Sequence, residues 1–431
     1  MMKKRFSTKK IISLVGLSLM CATAAEATPA FARQMDMDCM SCHFQNMPKL
    51  NAFGRDFKMS GFTMSSGKEM TSEQNGGLQM PSNLNMAFVI KARILEDKSN
   101  DVETKTEIFD ESAFLFGGKI ADNVGASMEF AEGLAGGKIM FSTEALGGRV
   151  GATYHMTDAL GAFAGTEMYT TGLYRPVRQF ENRGKTNIFQ NLGIGAGEAT
   201  GVQVYYRANG LYATVGAYVP MFAQSAEAGT DSFKTLARAA YEFSAGDTTV
   251  ALGGYYIGGK SGKKIIDRLF DDANGDLTIS MDEVVDKVHS VDVDALDRKS
   301  YGLDLQIESA IGDMTVMATA GYVMKNDYTG YLDKVNDEIY ATPKAQDKTG
   351  YHADIQVNPV ERFGVKAAIL GVTDDATANR DFNVYSLGLE YNMRQNVRFA
   401  LEYSYTSSDR DDVGDKKYSG SDILFMSMVS F

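Results

Sequence analysis

Tryptophan is absent from these 431 residues, and proline (7), histidine (4) and cysteine (3) are scarce. So few cysteines exclude a disulfide-built scaffold. Positive charge is not in excess either: the formal net charge is −12, so no nucleic-acid or other polyanionic partner is expected. Past the N-terminus no apolar run is long enough to cross a bilayer as a helix. Scarce proline removes a strand breaker, while glycine (43), phenylalanine (24) and tyrosine (21) are plentiful. That balance suits many long strands joined by turns.

The start reads as a secretory signal over residues 1–27. Lys3, Lys4, Arg5, Lys9 and Lys10 form a basic region, Ile11 to Met20 a short apolar core, and Ala25-Glu26-Ala27 a cleavage site. Cys21 is expected to leave with the signal, since Met20 before it does not suit lipoprotein processing. Cys39 and Cys42 then remain, in an oxidising compartment.

Those two lie in Cys39-Met40-Ser41-Cys42-His43, the attachment pattern for haem c. Two thiols add to the haem vinyl groups and the histidine supplies an axial nitrogen. A local disulfide is the plainer alternative. Half of a zinc site is another, but the next histidine after His43 is His155. Residues 28–75 are too few to bury a core unaided, so a haem would serve as one. Phe44, Met47, Leu50, Phe53, Phe57, Met59, Phe62 and Met64 are the apolar residues available to pack on it. Pro48 is placed to open a short helix and Gly61 to end it. No second histidine is near, so a thioether is the expected distal ligand, with Met59 the candidate.

Residues 76–431 are the expected barrel, and from Leu84 onward the pattern becomes strict alternation. Leu303-Asp304-Leu305-Gln306-Ile307-Glu308 places apolar residues at odd positions and polar ones at even positions. Residues 351–357 and 397–405 repeat it. Period two gives a strand with two different faces. Short turns at residues 311–313, 358–361 and 392–396 alternate with longer polar segments at 259–298, 327–348, 373–380 and 407–420. Short periplasmic turns and long extracellular loops alternate in this way in outer-membrane barrels, and a soluble β-sandwich is the weaker alternative. At roughly 20–22 residues per strand and connection, about 16 antiparallel strands are expected. The expected fold is all-β, a transmembrane barrel with the small helical haem segment inside its lumen. The lumen-facing set is predicted to include Lys91, Arg93, Asp304, Glu308, Asp354, Arg398 and Glu402. The final residues end on Phe431, like the C-terminal signature read by outer-membrane barrel assembly machinery.

A second metal motif falls within 260–298. Asp272, Asn274, Asp276, Ser280 and Glu283, with the carbonyl of Thr278, occupy the ligand positions of a twelve-residue EF-hand loop. Leu277 stands where glycine makes the sharp turn. Ile265, Ile266, Leu269 and Phe270 before it, and Val284, Val285 and Val288 after it, have helical spacing. Calcium ordering an extracellular loop is the expected role.

A monohaem segment running into a porin resembles the fused cytochrome–porin family of iron-oxidising bacteria. The similarity lies in Ala30 to Gln34, Cys39 to His43, Pro48 to Asn51 and Gly54-Arg55-Asp56-Phe57-Lys58. It implies an outer-membrane Fe(II) oxidase with Cys39 and Cys42 anchoring the haem and His43 as proximal ligand. Extracellular Fe(II) would be the donor and a soluble periplasmic carrier the acceptor. A conduit for another donor or acceptor, and a porin without redox chemistry, are the competing readings.

Overall fold

A computed structural model describes residues 29–44, 50–67, 69–72, 78–81, 84–97, 104–109, 112–131, 134–157, 163, 179–195, 197–220, 233–261, 266–270, 284–290, 296–335, 338–374, 381–394, 396–408 and 419–431. Alternation of apolar and polar residues drives the chain into a closed antiparallel barrel of 16 strands. Strand Phe382–Arg394 shows why: Val384 and Ser386 are buried in the lumen, while Tyr385 and Leu387 project outward. Closure comes from pairing the last strand, Gly420–Ser430, with the first barrel strand, Met86–Asp97. The terminal residue completes the seam, because Phe431 and Phe88 exchange backbone hydrogen bonds. A closed ladder leaves no unpaired edge, which a strand in hydrocarbon requires.

The outer wall carries the apolar residues. Cross-strand pairs Tyr256–Tyr301, Tyr322–Tyr351 and Tyr385–Tyr405 form one aromatic belt. Phe141, Tyr241, Phe243 and Tyr391 form a second, close to the short turns. Aromatic girdles at two levels mark the two interfaces of a bilayer. No helix among the described residues is long and apolar enough to cross a membrane, so the strands do the crossing.

All seven residues predicted to face the lumen do so. Lys91, Asp304, Glu308, Asp354, Arg398 and Glu402 are buried, and Arg93 is nearly so. Two connections differ from expectation. The segment 327–348, read as a polar loop, continues the ladder: strands Met314–Val335 and Glu338–Val360 stay paired out to Val335 and Glu338. The residues flanking the calcium-type loop are strands, Ile266–Phe270 and Val284–Ser290, which pair antiparallel. Their apolar spacing suits helix or strand over so few residues, and the neighbouring sheet decides. Residues 272–283 themselves lie outside the described residues.

The chain before the barrel folds into it. Helix α1 (Pro29–Met35), helix α2 (Cys39–Cys42) and helix α3 (Ala52–Met59) form a plug. A hairpin of Glu69–Ser72 and Leu78–Pro81 spans the expected boundary at residue 75 and lies outside the barrel ladder. A second inward segment, residues 179–195, carries helices α4 (Arg183–Thr186) and α5 (Ile188–Asn191).

Candidate functional site

The segment Cys39-Met40-Ser41-Cys42 forms one short helix, α2, with His43 leaving it in an extended conformation. His43 N–H donates to the carbonyl of Cys39 at 3.0 Å. Cys39 is buried and Cys42 half-buried, and they are not joined in a disulfide. Burial pushes the Cys42 thiol up, so it stays protonated near neutral pH. The disulfide alternative is not formed.

Helix α3 packs directly on this turn. A Cβ at Gly54 would collide with the carbonyl oxygen of Cys42, so only glycine permits the approach. Pro48 lies outside the described residues, and α3 begins later than predicted, at Ala52. Asn51 is the reason: its side chain accepts from Gly54 N–H at 2.9 Å, a helix N-cap. The same side chain donates to the carbonyl of Ser41 at 3.0 Å, while Asn51 N–H donates to Cys42. His43 and Leu50 form an isolated antiparallel bridge. Gly61 ends the helix with a positive φ, as predicted.

Wall contacts place the plug at one end of the lumen. Arg55 lies 2.7 Å from Glu308 and 2.5 Å from Glu242, four residues before the turns at 312–313 and 246–247. Asp56 pairs with Arg207, beside the turn at 209–210. The carbonyl of Met59 accepts from Ser142 Oγ at 2.8 Å and Tyr205 Oη at 3.0 Å. Gly125, close to the turn at 122–123, lacks the Cβ that would strike the carbonyl of Gly61. Each is a short-turn end, and short turns face the periplasm.

Cys39, Cys42 and His43 therefore share one turn, and Met59 ends the helix that packs on it. At about 100° per residue, Met59 points roughly 140° around α3 from Gly54, the position that touches Cys42. Its side chain joins Met35, Phe57, Phe62 and Met140 against the wall. It also borders a cavity of about 280 Å³ with Asp56, Arg149 and Arg207. Met64 packs on the margin of the same cluster.

Sequence reasoning missed two features. One is Arg55, fully buried between the plug and two wall carboxylates. The other is the anchorage of residues 179–195. Glu181 pairs with Lys91 at 3.2 Å and with Arg398 at 3.3 Å. Arg398 also pairs with Glu390, and Lys366 with Glu402 and Glu390. Glu402 accepts from the backbone N–H groups of Glu181 and Asn182, both at 2.8 Å. Lys366 donates to the carbonyl of Gln179 at 2.6 Å and lies 4.9 Å above the Phe180 ring. Three cations and three carboxylates thus neutralise one another out of water, as buried charge requires. The only sequence signal was the lumen-facing charge on the strands themselves.

No protein-family model matches the chain, and no curated protein does. Among solved structures it is similar to OmpT, an outer membrane protein of Vibrio cholerae, in a form lacking loop L8. Identity is 12% over 80% of this chain and 98% of that one, with a TM-score of 0.50. Salmonella typhi OmpF in complex with daunomycin gives 11% identity, 84% and 100% coverage and a TM-score of 0.45. An anion-selective porin from Comamonas acidovorans gives 11%, 80% and 98%, and 0.44. At such identities the likeness shows the fold alone. The closed barrel and its apolar girdled exterior define the class: an outer-membrane β-barrel of porin-like fold.

Proposed function

We propose that this barrel is an outer-membrane cytochrome–porin. It would accept electrons from extracellular Fe(II) and deliver them, through one c-type haem, to a soluble periplasmic carrier. The observation that carries the reading is the location of Cys39-Met40-Ser41-Cys42-His43: no disulfide joins the two cysteines, and the motif folds within the barrel at its short-turn end. The donor set fits the group, with two thiols outside any disulfide on one turn of helix and an imidazole beside them. Cys39 and Cys42 would hold the haem covalently and the His43 imidazole would ligate it, and the group would supply one-electron acceptance and release.

The chain's own residues then do three things. Asn51 and Gly54 lock α3 against α2, which fixes the attachment turn. Arg55, Asp56 and the carbonyl of Met59 tie α3 to the wall, which keeps the motif at the periplasmic mouth. Residues 179–195 narrow the lumen further, and the charge network holds them there. Insoluble ferric product would form outside while electrons cross, so a filled lumen suits the task better than an open pore. The likeness of Cys39 to His43 and Gly54 to Lys58 to the cytochrome–porin family supports the same reading. Calcium at Asp272, Asn274, Asp276, Thr278, Ser280 and Glu283 belongs to it as an ordering ion for an extracellular loop.

Haem staining of a denaturing gel, followed by stopped-flow mixing of purified protein with Fe(II), tests the reading. Covalent haem reduced by Fe(II) is the expected result. Haem that Fe(II) does not reduce would replace iron with another donor, and an unstained band would leave a porin without redox chemistry.

A further inference from the structure

We infer that Arg55 is a positioning residue for the haem site, and that its two wall partners, Glu242 and Glu308, help set that site's reduction potential. The inference rests on the haem reading above and goes beyond it to particular residues. Arg55 Nη1 donates to the carbonyl of Leu50 at 2.6 Å, and Leu50 is the residue bridged to His43. The same nitrogen donates to Glu308 Oε1 at 2.7 Å, and Nη2 lies 2.5 Å from Glu242 Oε2. One buried guanidinium therefore joins the backbone that carries the axial histidine to two strands of the barrel. Arg55 also follows Gly54, whose missing Cβ lets α3 rest on Cys42.

This geometry gives Arg55 a task that a stabilising ion pair alone would not have. If the guanidinium moves, the Leu50 carbonyl moves, and the extended segment paired to it at His43 follows. Arginine suits the position because its planar fork can serve three acceptors in fixed directions.

The electrostatics add a signed expectation. Arg207 lies 3.8 Å from Glu242 and pairs with Asp56. The local set is thus Arg55 and Arg207 against Asp56, Glu242 and Glu308: two cations facing three carboxylates. Asp56 is exposed and screened by water, whereas Arg55, Arg207, Glu242 and Glu308 are largely shielded from it and act on their surroundings with less screening. The oxidised haem site is one charge more positive than the reduced one, so each carboxylate favours oxidation and each guanidinium opposes it. Removing a carboxylate should raise the potential, and removing the guanidinium should lower it. A purely mechanical loosening of the plug would shift every variant the same way.

Spectroelectrochemical titration of the haem-loaded full chain in liposomes reads this directly. Glu308→Gln and Glu242→Gln, which keep the side-chain shape, should raise the midpoint. Arg55→Gln should lower it, and Arg55→Lys should restore it towards wild type. Each charge change is expected to alter the one-electron equilibrium constant on the order of tenfold, or about 59 mV. If Arg55→Gln fails to retain haem, the two glutamate variants still decide the sign. Unmoved midpoints, or shifts of one sign in all variants, would overturn the inference while leaving the haem reading intact. An unstained wild-type band would remove the reading and this inference with it.

Discussion

The hydroxyl of Tyr205, on the barrel wall, donates to the backbone carbonyl of Met59 at 3.0 Å, so the wall supplies a hydrogen bond that the end of helix α3 cannot make for itself. Carbonyls in a helix's last turn have no partner within the helix. Ser142 Oγ donates to the same oxygen at 2.8 Å. A plug that was merely lodged in the lumen would leave such groups to water. Here the two parts share their hydrogen-bond accounting, and the plug is part of the barrel.

Tyr205→Phe tests that sharing. The ring and its packing against the plug remain, and one of two hydrogen bonds to the Met59 carbonyl is lost. A cost of about 1 kcal/mol in the docking of α3 is expected. Hydrogen exchange of the α3 amides should rise about fivefold relative to the barrel strands, since 1.4 kcal/mol is a factor of ten. Unchanged exchange would mean that Ser142 alone holds the helix end.

Gly54→Ala acts on the contact between α3 and α2. The new methyl group meets the Cys42 carbonyl, which is backbone and cannot swing aside. Overpacking of this kind costs about 1–3 kcal/mol. The strain falls on the attachment turn rather than on the sheet. Haem content per barrel, read from the ratio of stain to protein on a denaturing gel, should drop several-fold while the folded barrel still shows its heat-dependent mobility shift. Full haem content would show that α2 tolerates displacement.

Much of the barrel was legible in the chain. In Leu303 to Glu308 the period of two assigned faces correctly, and Asp304 and Glu308 are buried as read. The site was legible only as a motif. Cys39, Cys42 and His43 are neighbours in sequence, so their proximity needed no fold. Arg55 and Glu308 are 253 positions apart, and Glu402 meets the backbone of Glu181 across 221. Such pairs exist only once the sheet has closed, and no local pattern encodes which charges will face one another. The same holds for residues 179–195, whose inward path depends on partners from four separate strands. The strands beside the calcium-type loop were misread for a different reason. A handful of apolar residues fits either period, and backbone pairing chose the sheet.

Lys366→Met addresses the second occupant of the lumen. Lys366 has no exposed side-chain surface and sits between Glu390 and Glu402. Removing it leaves Glu402 without its nearest cation and Gln179 without a donor at its carbonyl. Breaking a buried pair from one side costs about 3–5 kcal/mol. Residues 179–195 should detach from the wall, and single-channel conductance in planar bilayers should rise several-fold above wild type. Lys366→Arg should recover most of the low conductance. A methionine variant that conducts like wild type would place the barrier to ions in the plug instead.

Removing the proposed bidentate ligand of the calcium-type loop probes a function separable from the proposed haem. Glu283→Gln keeps the side-chain length but surrenders the charge that would close the proposed coordination shell. Because strands rather than helices flank the loop, calcium has no helix pair to open, and its effect should stay local. Titration calorimetry of wild-type protein should show one calcium site, and the variant should bind at least tenfold more weakly. Limited proteolysis should cut the variant within 260–298 at calcium concentrations that protect wild type. The haem spectrum should be the same in both, because the plug is held by wall residues at the short-turn end, Glu242, Glu308 and Arg207. A spectrum that changed on chelation would instead couple the extracellular loop to the haem segment, and the two metal sites would have to be treated as one system.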